Sequence, residues 1–260
     1  MIKVKKNFED VPSILRSNNR EDSFLENVKR ENFEVGTKFY KVKSVQDRLK
    51  KIYSLKCAYC EKKLLDAPKH IEHYRPKDSY FWLAYSWDNL LLSCGECNSI
   101  KGVDFKVENS QISYGNEKFD DIHSLGLKYD KKEKPYIINP EKDDVLNYIK
   151  YRADGTIYSD DKRVEHTIEI ACKLNRKELV EKREEIINDF VYKIEEHYTL
   201  FQINGDISRF FPDVKLFIEK VVRESEFYSL RYYMIYNIEE FFENENIQKI
   251  LEIALNRVKI

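Results

Sequence analysis

Two CxxC pairs, Cys57-Ala-Tyr-Cys60 and Cys94-Gly-Glu-Cys97, bracket an acid–histidine pair, Glu72-His73, and an asparagine, Asn89; a second asparagine, Asn98, follows the last cysteine directly. A CxxC knuckle supplies two thiolates from one tight turn, and zinc takes four such ligands in a tetrahedron. The 33 residues between the pairs exceed the roughly 15–20 of a simple zinc ribbon, so the metal would pin the two ends of a functional insert. Disulfides and a redox CxxC are the competing readings. A redox motif needs one CxxC beside a βαβ pattern, and this chain has two without it. A structural Zn²⁺ held by Cys57, Cys60, Cys94 and Cys97 is therefore expected. The fifth cysteine, Cys172, lies in Ile168-Glu-Ile-Ala-Cys-Lys-Leu174 and reads as a small core residue.

The insert carries residues suited to phosphodiester hydrolysis, which needs a nucleophilic water, a base of near-neutral pKa, and a cation to offset charge on the phosphate and leaving oxygen. Histidine is the side chain whose unperturbed pKa suits the base. Hard oxygen ligands such as the Glu72 carboxylate and the Asn98 amide suit Mg²⁺ or Mn²⁺, which keep several waters. Arg75, Lys77 and Lys101 are candidate phosphate contacts, Arg through its bidentate fork. Taken singly, each has a plain alternative. A lone histidine is usually structural, His70 could be a hydrogen-bonding neighbour of the site or a surface residue, and Glu72 and the three basic residues could be ordinary solvated charge. Their joint order between two knuckles favours a nuclease site.

These residues need particular elements to meet. Lys69-His-Ile-Glu-His73 reads as a strand, and successive strand residues point to opposite faces. Glu72 and His73 can share a side only where the strand ends or bulges, and Pro76 stops ladder pairing just beyond. Asn89 opens an apolar run, Leu90-Leu-Leu92, suited to a buried strand. Cys97 to Lys101 then begins a short helix that Gly102 ends. Trp82, Tyr85 and Trp87 lie between the two halves; they could stack on bases, but core is the expectation.

The order Glu-His, Asn, CxxC-Asn-x-x-Lys-Gly resembles the HNH endonuclease motif, and more specifically the PtuB-like HNH proteins of Septu and retron-associated antiphage systems. The resemblance implies an α+β, mainly helical chain in which a ββα-metal HNH finger, with a structural four-cysteine zinc site, is embedded in a helical domain. It makes His73 the general base, Glu72 and Asn98 ligands of the catalytic cation, and Asn89 the holder of the loop that orients the histidine. The family usually has Asp where this chain has Glu72, one methylene longer. The resemblance extends to Ile138-Asn-Pro-Glu-Lys-Asp-Asp144, Asp154-Gly-Thr-Ile157, Leu174-Asn-Arg-Lys-Glu-Leu179 and Arg183, and covers most of residues 1–185. It further implies DNA as substrate and a PtuA-like ATPase as partner.

The remaining sequence suits a folded, helix-rich chain. Of 260 residues, 42% are hydrophobic and 35% charged. No stretch approaches a membrane span and the N-terminus lacks a signal-peptide core, so a cytoplasmic protein without membrane attachment is expected. The net charge of −1 is unevenly spread: residues 1–56 carry 14 Lys and Arg against 8 Asp and Glu. A basic arm there could track a phosphate backbone, or be simply solvated. The chain divides into a basic helical segment (1–56), the finger (57–105), a mixed strand and loop connection (106–160) and a helical region (161–260).

Phe39, Val42, Val45, Leu49, Ile52 and Tyr53 predict an amphipathic helix over 38–54. Tyr136–Ile138 and Gly155–Tyr158 read as short strands or loop. Asn175, with Glu178 three residues on, predicts the cap of a helix running past Glu195. Asn204-Gly205 marks a turn, and helices are expected over 212–224, 228–243 and 246–258. The alternatives to a DNA nuclease are a zinc-stabilised nucleic-acid-binding or interaction subunit without catalysis, and a nuclease directed at RNA.

Overall fold

The computed structural model describes residues 1–33, 41–65 and 69–258. Helices dominate. Helix α1 (Asn18–Arg30) and α2 (Lys43–Ile52) precede a hairpin of β1 (Lys69–His73) and β2 (Leu90–Cys94), which runs directly into α3 (Gly95–Lys101). After α4 (Gly126–Glu133) come a two-residue hairpin, β3 (Lys150–Tyr151) and β4 (Ile157–Tyr158), and α5 (Lys162–His166). The long α6 (Lys177–Asn204), then α7 (Phe210–Glu219), α8 (Tyr228–Tyr236) and α9 (Glu245–Val258) complete the chain. The fold is mainly helical α+β, with a ββα finger set among helices. No helix among the described residues is long and apolar enough to cross a membrane.

The finger forms where local pattern and burial agree. Leu90, Leu91 and Leu92 are completely buried, as a strand packed on both faces requires. β1 pairs antiparallel with β2, placing Glu72 opposite Leu91 and His73 opposite Leu90. β1 stops at His73, so the loop can turn both Glu72 and His73 toward one cavity. α3 begins two residues before the expected Cys97, because the Cys94 sulfur accepts the Cys97 N–H at 3.3 Å as an N-cap. Gly102 closes it at φ +48°. The first knuckle joins β2 through the Ala58 N–H and the Leu92 carbonyl, 2.8 Å apart. Trp82, Tyr85 and Trp87 are core, each no more than 1% exposed.

α2 starts at Lys43 and packs through Val45 and Leu49; residues 38–40, Phe39 among them, lie outside the described residues. Asn175 does not cap α6. Its side chain accepts from Ile157 N–H and donates to the Ile157 carbonyl, both at 2.8 Å, bonding the segment before α6 to β4. Arg183 supports the same junction, donating to the Gly155 carbonyl at 2.7 Å. Gly155 sits at φ +78°, and a Cβ there would lie 2.5 Å from the Val180 carbonyl, so glycine is required. α6 does run past Glu195, to Gly205 in the left-handed region. α7 ends at Glu219 and α8 at Tyr236, each earlier than expected.

Candidate active site

The four knuckle cysteines converge at one end of the finger. All are buried, and their sulfurs lie within 4.8 Å of one another. Zn–S bonds of about 2.3 Å in a tetrahedron set sulfurs about 3.8 Å apart. Cys60 and Cys94 Sγ stand at 3.9 Å, far from the roughly 2.05 Å of a disulfide. Cys57, Cys60, Cys94, Cys97 and Cys172 are all free thiols. Donor set and spacing fit a zinc ion. Cys172 is fully buried in the core.

At the other end, a cavity of about 250 Å³ brings together Glu72, His73, Lys77 and Asn98, with His70 and Lys41 also on its wall. His73 Nε2 lies 3.0 Å from the Ala84 carbonyl. A carbonyl only accepts, so Nε2 carries the hydrogen and Nδ1 is the basic nitrogen. Burial pushes the imidazole pKa down to about 3, which keeps the ring neutral near neutrality. Asn89 organises the loop behind it. Its Oδ1 accepts the Arg75 N–H at 2.7 Å, and its Nδ2 donates to the Arg75 and Leu83 carbonyls at 3.0 and 3.3 Å. Leu83 adjoins Ala84, so one amide spans both ends of the loop that holds the histidine.

Glu72 is only 4% exposed. Burial raises its carboxyl above the usual range, against the opposing pull of Lys101. Lys101 Nζ lies 2.7 Å from Glu72 Oε1, a buried ion pair that already sets one cation beside this carboxylate.

Residues 57–104 match the family model described as HNH endonuclease. The chain is 31% identical over 217 residues to the Septu protein PtuB of Bacillus mycoides, covering 74% of this chain and 69% of that protein. The chain belongs to the PtuB family. It is also 36% identical over 97 residues to a Septu protein PtuB of Bacillus thuringiensis, spanning 36% of this chain and 28% of that one. Against a Septu protein PtuA of Bacillus mycoides the identity is 27% over 186 residues, 65% of this chain but 24% of that one.

Two expected phosphate contacts of this PtuB-family chain are placed elsewhere. Arg75 is 1% exposed. Its Nε and Nη2 donate to Glu133 Oε2 at 2.9 and 2.7 Å, and Nη2 to Asp130 Oδ1 at 2.6 Å. A buried guanidinium needs such carboxylates, and its fork is committed to them. Lys101, also 1% exposed, donates to the His73 carbonyl at 2.9 Å and so ties α3 to the end of β1. Lys77 alone of the three lines the cavity, paired at its edge with Asp78 at 3.0 Å.

The basic arm is likewise not a free tail. Lys6 is buried, donating to the Trp87 and Leu90 carbonyls at 2.6 and 2.7 Å and paired with Glu141. Lys3, Lys5, Arg48 and Lys51 line a separate cavity of about 1020 Å³ that shares no residue with the Glu72–His73 site. Lys41 and the Ala84 carbonyl were not foreseen. Neither has a signal in sequence, since Lys41 lies outside the motif and every residue carries a carbonyl.

Proposed function

We propose that this chain is a metal-dependent HNH endonuclease hydrolysing DNA phosphodiester bonds, the nuclease subunit of a Septu-type antiphage complex with a PtuA-like ATPase partner. The observation carrying this reading is the meeting of Glu72, His73 and Asn98 at one cavity, on the finger whose other end holds the four cysteines. His73 accepts a proton at Nδ1 from the attacking water, and the Ala84 carbonyl on Nε2–H steadies the imidazolium that forms. Glu72 and Asn98 hold a Mg²⁺ or Mn²⁺ ion, which when bound offsets charge on the phosphate and leaving oxygen. Lys77 meets a phosphate oxygen, and Asn89 keeps the histidine loop in register. The zinc at the cysteine end is structural. A net charge of −1 is far from a strong DNA binder's, which supports a partner that delivers the substrate.

The test is DNA cleavage by the purified chain with Mg²⁺ or Mn²⁺, alone and co-expressed with the PtuA-like ATPase. His73→Ala should lower cleavage by about 10²–10⁴-fold while keeping its zinc and circular dichroism. Undiminished cleavage by that variant removes His73 as the base. DNA binding without cleavage under every metal and partner condition supports a non-catalytic binding subunit instead.

A further inference from the structure

The stretch Leu174-Asn-Arg-Lys-Glu-Leu179 is a sequence feature that the nuclease site does not use. It lies across the cysteine end of the finger. Arg176 Nη1 and Nη2 each stand 3.6 Å from Cys97 Sγ, and Nη2 is 3.9 Å from Cys94 Sγ. The same guanidinium bonds the Cys172 and Lys173 carbonyls at 3.2 and 3.4 Å, which sets its direction. Two residues on, Glu178 pairs with Lys62, which lies two residues beyond Cys60. One short segment therefore touches the second knuckle and the residues just beyond the first.

Charge explains why an arginine belongs there. Zinc with four thiolates carries a formal −2, and buried charge is costly unless paired or hydrogen-bonded. Among the described residues, Arg176 is the side-chain cation whose donors reach the knuckle sulfurs. Its side chain is 15% exposed, so the contact is poorly screened. Arg176 also pairs with Glu96 at 3.1 Å, but that carboxylate is 50% exposed and such a pair is worth little. A planar, weakly hydrated fork can serve two sulfurs at once, which a lysine ammonium cannot do as well.

We propose that Arg176 is the charge partner of the zinc-bound thiolates, donating to Cys97 and Cys94 so as to hold the metal, and that it couples zinc occupancy to the docking of α6. The proposal rests on the zinc reading above and is independent of the nuclease reading. Arg176 is a positioning residue. It touches no substrate.

The test uses the full-length, zinc-loaded chain, with excess chelator and a colorimetric zinc dye to follow metal release. Arg176→Met should release zinc about 10-fold faster or more, within the 10–100-fold lost when a metal ligand's supporting partner is removed. Arg176→Lys should fall between that variant and the parent. Glu178→Gln breaks the neighbouring clamp without touching a sulfur, and should stay within about two-fold of the parent. Hydrogen exchange over residues 172–185 should rise in Arg176→Met and on zinc removal from the parent.

Parental release by Arg176→Met overturns the proposal. So does equally fast release by Glu178→Gln, since docking rather than charge would then hold the metal. Should Arg176→Met fail to fold, Arg176→Lys carries the test, and a parental rate there overturns it. A parent chain that purifies folded without zinc overturns the zinc reading and this role together.

Discussion

Cys97 and Asn98 are neighbours on α3, yet Cys97 is completely buried among sulfurs while Asn98 borders a cavity. The two ends of the finger differ in the same way. At the cysteine end the protein provides four matched donors, all buried, as a closed structural zinc site requires. At the Glu72–His73 end it provides few donors and leaves room, as a cation that keeps its waters requires. A short ββα unit can carry both because the start of α3 offers consecutive residues, Cys97 and Asn98, to different sides, while the end of β1 brings Glu72 and His73 to one cavity. Lys101 and Arg176 mark the contrast in charge: one cation lies beside the Glu72 carboxylate, the other against the sulfurs.

The contrast breaks most visibly if the closed end proves dispensable. Removing zinc from the chain, or substituting Cys97→Ser, should abolish hydrogen-exchange protection across residues 57–101 and cleavage with it. Metal binding contributes about 10 kcal/mol or more in small zinc domains. A protected, active, zinc-free finger would end the comparison. At the open end, His73→Ala should lower cleavage by about 10²–10⁴-fold while the melting temperature moves only a few degrees, as single-turnover kinetics and calorimetry would show.

Arg75 tests whether a basic residue beside the site belongs to substrate or to the fold. Arg75→Met leaves Glu133 buried without its cation, with only the Tyr80 hydroxyl and the Ile112 N–H still donating to it, and should cost about 3–5 kcal/mol in urea unfolding. A variant as stable as the parent would return Arg75 to the substrate contacts.

Acid should weaken the fold through buried histidines. His123, whose Nδ1 accepts the Trp87 N–H at 3.1 Å, is pushed down to about 4 by burial, with Arg16 adding repulsion. Its unfolded value is about 6.5. The unfolded chain therefore binds a proton that the folded chain refuses between those values. Stability should be unaffected by His123 above pH 6.5 and fall as pH drops toward 4, by at most about 1.4 kcal/mol per unit. His73, lower still, acts in the same direction. A His123→Gln variant should show a shallower slope in thermal melts between these limits; an unchanged slope would show that His123 is not the titrating group. The smallest effect belongs to Lys77→Ala, which should reduce the salt dependence of DNA binding by about one unit of slope.

Most of the finger was legible because its rules are local. A knuckle closes within four residues, a strand stops before proline, and Gly102 ends a helix, so the cysteines, β1, β2 and α3 could be read from spacing. Helix ends were less legible. α7 stops at Glu219 and α8 at Tyr236 although the apolar pattern continues, because periodicity does not register where a chain must turn to pack. Asn175 illustrates a second limit: a good cap residue was taken instead by a bond to β4, which lies 18 residues away in the chain.

Residue types and spacing alone therefore marked the four cysteines that cluster and the acid–histidine–asparagine set that meets at one cavity, since ligand chemistry and turn geometry are short-range. Which charges face the cavity was settled only in three dimensions. Arg75 is claimed by Asp130 and Glu133, more than fifty residues downstream, Lys101 turns inward to Glu72 and His73, and Arg176 reaches back about eighty residues to the sulfurs. An ionisable side chain has no fixed role of its own. The fold assigns one by bringing an opposite charge within reach and excluding water, and that partner can lie anywhere in the chain.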